Sequence, residues 1–279
     1  MSLETLTAGH PRLLATSLAS LTACFRSDVD GDPLRARLLA HQLRLAEASL
    51  PEPPIHEGRD LNFHHSARRA LGVILHTAAA FFITGEARFL ARAAAELEAA
   101  CELPSWHPDT FLDTAELALA VALGYDWLHH ALAPPLRAAA RGALLRNALR
   151  LAPSIYEAAA RPEGAPKAFS THSVGWVNAV HNWNQVCNAG MLCAALAVAG
   201  EEGVPAGLAE LVVRGALASL PRALRSSYEP DGAFPESPQC VSCAPRPLRA
   251  PLQLPFSPPL PFSPTPAPPG TGALGPPSP

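Results

Sequence analysis

The chain is predicted to be all-α, built by packing helix on helix, and three observations carry that expectation. Hydrophobic residues make up 48% of the sequence, most of them alanine and leucine, while aromatic residues reach only 6%; this balance, with few β-branched residues, favours helix over strand. Apolar positions recur at helical spacing, and no strand-like alternation appears. The helical segments come in pairs punctuated by glycine and proline, in hairpins of roughly 35 to 50 residues, which suggests helical pairs stacked in a ring or solenoid.

Each element has its own punctuation. Residues 34–49 form a first helix, ended by Pro51, Pro53 and Pro54. Residues 62–83 and 87–102 pair around Thr84-Gly85-Glu86, where the glycine ends the first partner. Residues 112–131 and 135–159 pair across Ala133-Pro134-Pro135, and proline suits the first turn of the second partner. Asp113 or Thr110 is expected to cap the start near Phe111, with Glu116 completing a capping pattern from Asp113. A third pair, 184–200 and 206–227, is joined by Gly200-Glu201-Glu202-Gly203.

Near residue 239 the composition changes. Cys240 to Pro279 carry 14 prolines in 40 residues, a composition that holds neither helix nor sheet and predicts a disordered or polyproline tail. The expected organisation is therefore a helical domain over 1–239 and a Pro-rich tail over 240–279. A PxxP within LPFSPPLP is a candidate ligand for a partner domain, and an interaction protein with such a tail is one open reading. The jump in proline content at a single point suggests a frameshift, a retained intron or a faulty gene model.

Composition also narrows function. With a net charge of −3, neither nucleic acid nor an anionic membrane is expected as the main partner. Metal and cofactor are expected to be absent, because there is no HExxH and no paired CxxC. The six cysteines, at 24, 101, 187, 193, 240 and 243, show no tight framework. No signal peptide or membrane-spanning run is visible, so the compartment is left open.

The most informative stretch is His172 to Gly200, HSVGWVNAVHNWNQVCNAGMLCAALAVAG. It gathers His172, Trp176, Asn178, His181, Asn182, Trp183, Asn184, Gln185 and Asn188 just ahead of an apolar helix. Side chains able to bond sugar hydroxyls or carboxylates stand beside aromatic rings there, as in a pocket wall. The competing reading is a capping and packing cluster, with Asn182 or Asn184 capping a helix near Gln185 and Trp183 in the core. On the helix after residue 61, His65 and Arg68 share a face and can both point at an anionic sugar, or can simply be surface charge. Asp113 to Trp127 look architectural, with Tyr125 or Trp127 a candidate to reach a groove.

Four segments in order, HPRLLAT, FLDTAELALAVALGYDWLHH, HNWNQVCNAGMLCAALAVAG and YEPDGAFPESP, resemble the N-terminal helical domain of heparinase II/III-like polysaccharide lyases, a group that includes alginate and other uronate lyases. The resemblance covers about residues 9–238. It implies an incomplete (α/α) toroid, normally followed by β-sandwich domains that this chain is expected to lack. It also implies β-elimination on acidic, uronate-containing polysaccharide. That chemistry removes a weakly acidic C5 proton, so the uronate carboxylate must be neutralised while a base and an acid are placed beside it.

By the same resemblance His181 and Asn182 neutralise the carboxylate and transfer protons, Glu236 belongs to the catalytic set, and Trp183 and Asn184 join His65, Arg68 and Tyr125 in holding sugar. One departure stands out. Where the family continues into an aromatic-rich run carrying its tyrosine base, this chain reads Glu236-Ser237-Pro238-Gln239, and no tyrosine follows Tyr228. The resemblance therefore predicts a lyase-like domain impaired in catalysis, with a non-catalytic glycan-binding domain as the alternative.

Overall fold

A computed structural model describes residues 3, 6, 9–26, 32–56, 63–159 and 171–226. These residues are all-helical, and no strand occurs among them. The helices are α1 (Leu18–Arg26), α2 (Pro33–Ser49), α3 (Phe63–Thr84), α4 (Ala87–Glu102), α5 (Leu112–Trp127), α6 (Pro134–Asn147), α7 (Ala152–Ala159), α8 (Thr171–Asn178), α9 (Asn182–Val198) and α10 (Leu208–Ser226), with a 3₁₀ turn at Leu149–Leu151. The chain divides into Met1–Pro245, which holds every described residue, and Arg246–Pro279. The Pro-rich tail, the Cys240–Cys243 pair, Glu236 and Tyr228 lie outside the described residues.

Local chemistry explains the hairpins. Gly85 takes φ 77° and returns its N–H to the Phe81 carbonyl at 2.8 Å, closing α3 with a left-handed residue that costs glycine little. Pro134 opens α6, where its fixed φ suits the first turn. The α9–α10 connection turns on Gly200, Gly203 and Gly207, all at positive φ. The expected helix over 135–159 is broken instead: α6 ends at Asn147, Ala148 takes φ −130°, and the 3₁₀ turn intervenes before α7.

The capping expectation for α5 is corrected. Phe111 is the N-cap residue, at φ 67°, and no side chain caps it. Asp113 and Glu116 turn instead to α3, as described below.

α5 is the centre of the fold. It is buried on almost every face, including Leu117, Val121, Tyr125 and Asp126, as expected of a helix that is apolar all round. It packs between α3 and α9 and also touches α4 and α6. The three inner helices run in the same direction. His64 and Arg68 near the start of α3 meet Asp113 and Glu116 near the start of α5, and farther along Ile74 meets Gly124. Gly190 on α9 crosses Ala115 so closely that an added Cβ would sit 2.2 Å from the Ala115 carbonyl oxygen. At the far end, Glu201 just beyond α9 accepts the Tyr125 hydroxyl. α4 and α6 pack against each other behind this layer and run antiparallel to it, and Arg146 of α6 donates to the Cys101 carbonyl of α4 at 3.1 Å.

The core is mostly alanine, leucine and a few large rings: Trp106, Phe111, Trp176 and Phe89 are each no more than 1% exposed. Small side chains let the helices approach closely, and the rings fill what remains. Arg92 and Glu96 on α4 form a buried pair at 2.7 Å. Glu96 also accepts the Ile55 N–H at 3.1 Å, and Arg92 Nε donates to the Ser49 carbonyl at 3.0 Å, so this pair fastens the segment after α2 to α4.

Candidate functional site

α3, α5 and α9 run parallel, so their N-termini point the same way, but α9 starts earlier along the layer, and it is Gly190, midway along it, that meets Ala115 in the first turn of α5. Six of the eight sequence-predicted residues lie near the N-termini of α3 and α9. His181 is the N-cap residue of α9 and is exposed; its ring accepts the Trp183 N–H at 3.4 Å and meets the Trp183 ring edge-to-face at 6.0 Å. Asn182 opens the helix and is half-buried. Trp183, also half-buried, packs one side on the core. On α3, His65 is exposed, and Arg68 is half-buried with its Nε donating to Glu116 Oε1 at 2.7 Å. Asn184 is the sixth.

Two polar clusters at this end give it structure. His64 Nδ1 bonds Asp113 Oδ1 at 2.8 Å, and its Nε2 lies 3.8 Å from Glu116 Oε1. Burial pushes the Glu116 carboxyl up, against the pull of Arg68 and His64, and its Oε2 has no hydrogen-bond partner among the described residues. Two carboxylates one turn apart near the start of α5 are thus accounted for by one arginine and one histidine of α3. That spacing was the available signal; a buried carboxylate needs a counter-charge or a donor.

Asn184 has a different employment. It has no exposed surface, and its Nδ2 donates to the Trp176 and Val177 carbonyls at 3.1 and 2.9 Å and to Ser219 Oγ at 2.8 Å. Asn188, one turn on, donates to the Asn184 carbonyl and to the same Ser219, each at 2.8 Å, and accepts the Tyr156 hydroxyl at 3.0 Å. The polar cluster read as a pocket therefore splits. Its first residues, His181 to Trp183, stand at the helix mouth, while Asn184 and Asn188 tie α8, α9 and α10 together from inside. Trp176 is likewise interior, stacked on Phe111 at 5.1 Å.

Tyr125 lies at the opposite end of α5, with its ring buried and its hydroxyl donating to Glu201, and so does not join His181 and Arg68. Burial and the adjacent Glu201 both raise its pKa far above the ordinary tyrosine range. Glu236 lies outside the described residues.

That opposite end holds a network for which the sequence pattern gave no warning. His10 contacts Asp126 and Glu201 with its two ring nitrogens. The Arg12 guanidinium reaches the last carbonyls of α9, Ala197 and Ala199, at 3.2 and 2.9 Å. Beside it a cleft of about 280 Å³ opens between α1 and the ends of α3 and α5, lined by Leu18, Phe81, Phe82, Trp127 and His130.

Among the described residues no group of His, Cys, Asp and Glu is arranged to hold a metal ion, and no helix is long and apolar enough to cross a membrane. Compared with known proteins, the chain matches no family model and no curated sequence.

Proposed function

We propose that this chain is a helical domain of the heparinase II/III-like lyase kind, its hairpins curling into an incomplete (α/α) toroid that receives uronate-containing polysaccharide. The observation that carries the reading is that His65, Arg68, His181, Asn182 and Trp183 lie on the N-terminal parts of α3 and α9, two helices that run in the same direction on either side of α5. A two-layer arrangement, with inner helices parallel and α4 and α6 antiparallel behind them, also favours a toroid over a compact bundle.

In this reading Trp183 offers a ring face to a sugar, and Asn182, His181, His65 and Arg68 offer donors to its carboxylate. With the carboxylate neutralised, the neutral imidazole of His181 takes the C5 proton; the C5–H bonding pair forms the C4–C5 double bond as the C4–O bond breaks, and the leaving oxygen takes a proton from the imidazolium so formed or from water.

A second reading, glycan binding without elimination, is favoured by one observation. The chain holds three tyrosines, and Tyr125 and Tyr156 commit their hydroxyls to Glu201 and Asn188.

Incubation with heparan sulfate and with alginate separates the readings, because elimination creates an unsaturated uronate that absorbs in the ultraviolet. New absorbance, lost in the Asn182→Ala, Trp183→Ala double variant, supports the lyase. Binding by calorimetry without absorbance, weakened at least tenfold in the same variant, supports the binding module. Absence of binding to every uronate polymer tested refutes both.

A further inference from the structure

The network at the far end of α5 stands apart from the proposed glycan groove and does not depend on it. His10 lies in a segment that precedes α1 and crosses the C-terminal ends of α5 and α9. The ring is buried, at 8% exposure. Its Nδ1 is 2.6 Å from Asp126 Oδ1 and its Nε2 is 2.9 Å from Glu201 Oε1. A carboxylate oxygen only accepts, so both contacts are hydrogen bonds only if both ring nitrogens carry a proton, which makes the ring an imidazolium.

We propose that His10 is a protonation-operated latch: as an imidazolium bridging Asp126 and Glu201 it fastens residues 9–13 and the α9–α10 loop to the end of α5, and on losing a proton it lets go of Glu201.

The charged and titratable surroundings fix which contact is lost. From α5, Asp126 accepts His10 together with the N–H groups of Arg12, at 2.9 and 3.0 Å, and Leu13, at 2.8 Å. Asp126 thus holds the segment through three separate donors. From the α9–α10 loop, Glu201 faces His10 Nε2, the Tyr125 hydroxyl and Arg141 of α6 at 3.3 Å, with Arg12 at 3.8 Å. His129, after α5, stacks on His10 at 3.9 Å between ring centroids, and His130 Nε2 bonds the His10 carbonyl at 2.9 Å. Arg137 of α6 donates to the His129 carbonyl at 3.2 Å.

A neutral His10 has one N–H. The 2.6 Å contact to the fully buried Asp126 keeps it, and the Nε2 lone pair is left facing the Glu201 carboxylate.

The ionisation balance agrees with this geometry. Burial opposes the charge on His10, yet the bonds to Asp126 and Glu201 outweigh it and raise its pKa above 6.5. Burial and the neighbouring His10 charge push His129 down to about 4, so one ring of the stacked pair is charged and the other neutral. Burial opposes ionisation of Glu201, but His10 and Tyr125 more than offset it and bring the carboxyl to about 2. A histidine whose pKa rises on folding stabilises fully below its unfolded value and loses that contribution as pH climbs through the folded one. The latch is therefore closed in mild acid and opens on the alkaline side.

The test uses the whole chain. Nitrogen-15 spectra of the wild-type imidazoles should show both His10 nitrogens protonated at pH 6, with deprotonation above 6.5. Between those two states, amide exchange in residues 200–204, corrected for intrinsic pH dependence, should rise about tenfold. The amides of Arg12 and Leu13 should change less, and His10→Gln should abolish the pH dependence of exchange in the loop. A single protonated nitrogen at pH 6 overturns the latch, whether or not the variant folds. So does loop exchange that ignores the His10 titration, or a His10→Gln profile that matches wild type.

Discussion

Replacing Gly190 by alanine tests the placement of α9 on α5 directly. In an exposed helix the change would stabilise by about 1 kcal/mol, because glycine is the poorer helix former. Here a Cβ at 190 would lie 2.2 Å from the Ala115 carbonyl oxygen, 2.8 Å from its carbonyl carbon and 2.9 Å from its Cα. The shortest of these is more than 1 Å inside ordinary carbon–oxygen contact, and the obstacle is backbone, so no side-chain rotation relieves it. The two helices must separate at the crossing where α5 also meets its other neighbours. Overpacking of this kind costs about 1–3 kcal/mol and here falls at the upper end or beyond, leaving a net loss of about 2 kcal/mol. For a helical unit of this size that corresponds to a Tm lower by about 4–8 °C.

Gly142 in α6 supplies the control, since nothing lies within 4 Å of its Cβ position; there the same substitution should raise stability by about 0.5–1 kcal/mol. Urea unfolding followed by far-ultraviolet circular dichroism measures both. Equal shifts of the same sign would refute the close approach of α9 to Ala115.

Two further substitutions probe the buried polar ties. Asn184→Ala removes the donor shared by Trp176, Val177 and Ser219 and should cost about 2–3 kcal/mol; limited proteolysis should then cut first around α8, and unchanged stability would argue against the tie. Arg92→Met leaves the Glu96 carboxylate without its closest cation at a position with no exposed surface and should cost about 3 kcal/mol. Arg92→Met with Glu96→Leu together should recover only part of that loss, because the Ile55 N–H and the Ser49 carbonyl lose their partners too, and full recovery would show that the pair contributes no more than mutual neutralisation.

How much of this was legible in the sequence depended on how local the deciding chemistry is. The α3–α4, α5–α6 and α9–α10 pairs were readable because Gly85, Pro134 and Gly200 sit at the turns they make. α1 and α8, only 9 and 8 residues long, carry too few turns for periodicity to speak. The break at Ala148 was hidden by an alanine- and leucine-rich run that would suit a continuous helix. At the candidate site, His181 to Trp183 were recognisable by composition, but the same composition drew in Asn184 and Asn188. Whether an asparagine faces ligand or carbonyl depends on α8 and α10 packing over it. Asp113 and Glu116 fit a capping pattern, and only α3 alongside shows that they answer His64 and Arg68. The His10 network joins residues 116 and 191 positions apart, a distance over which no local pattern reports.

The common direction of α3, α5 and α9 puts three helix starts on one side of the inner layer and three helix ends on the other. Each helix carries the equivalent of about half a positive charge at its start and half a negative charge at its end, felt within the terminal turn, while the antiparallel α4 and α6 behind them offset the field farther out. The acidic pair Asp113 and Glu116 meets the positive end, and His10 and Arg12 meet the negative one. Reversing the charge of either set would work against the helix termini it touches. An anion at the first turn of one of these helices therefore meets that helix's own unpaired N–H groups as well as its side chains.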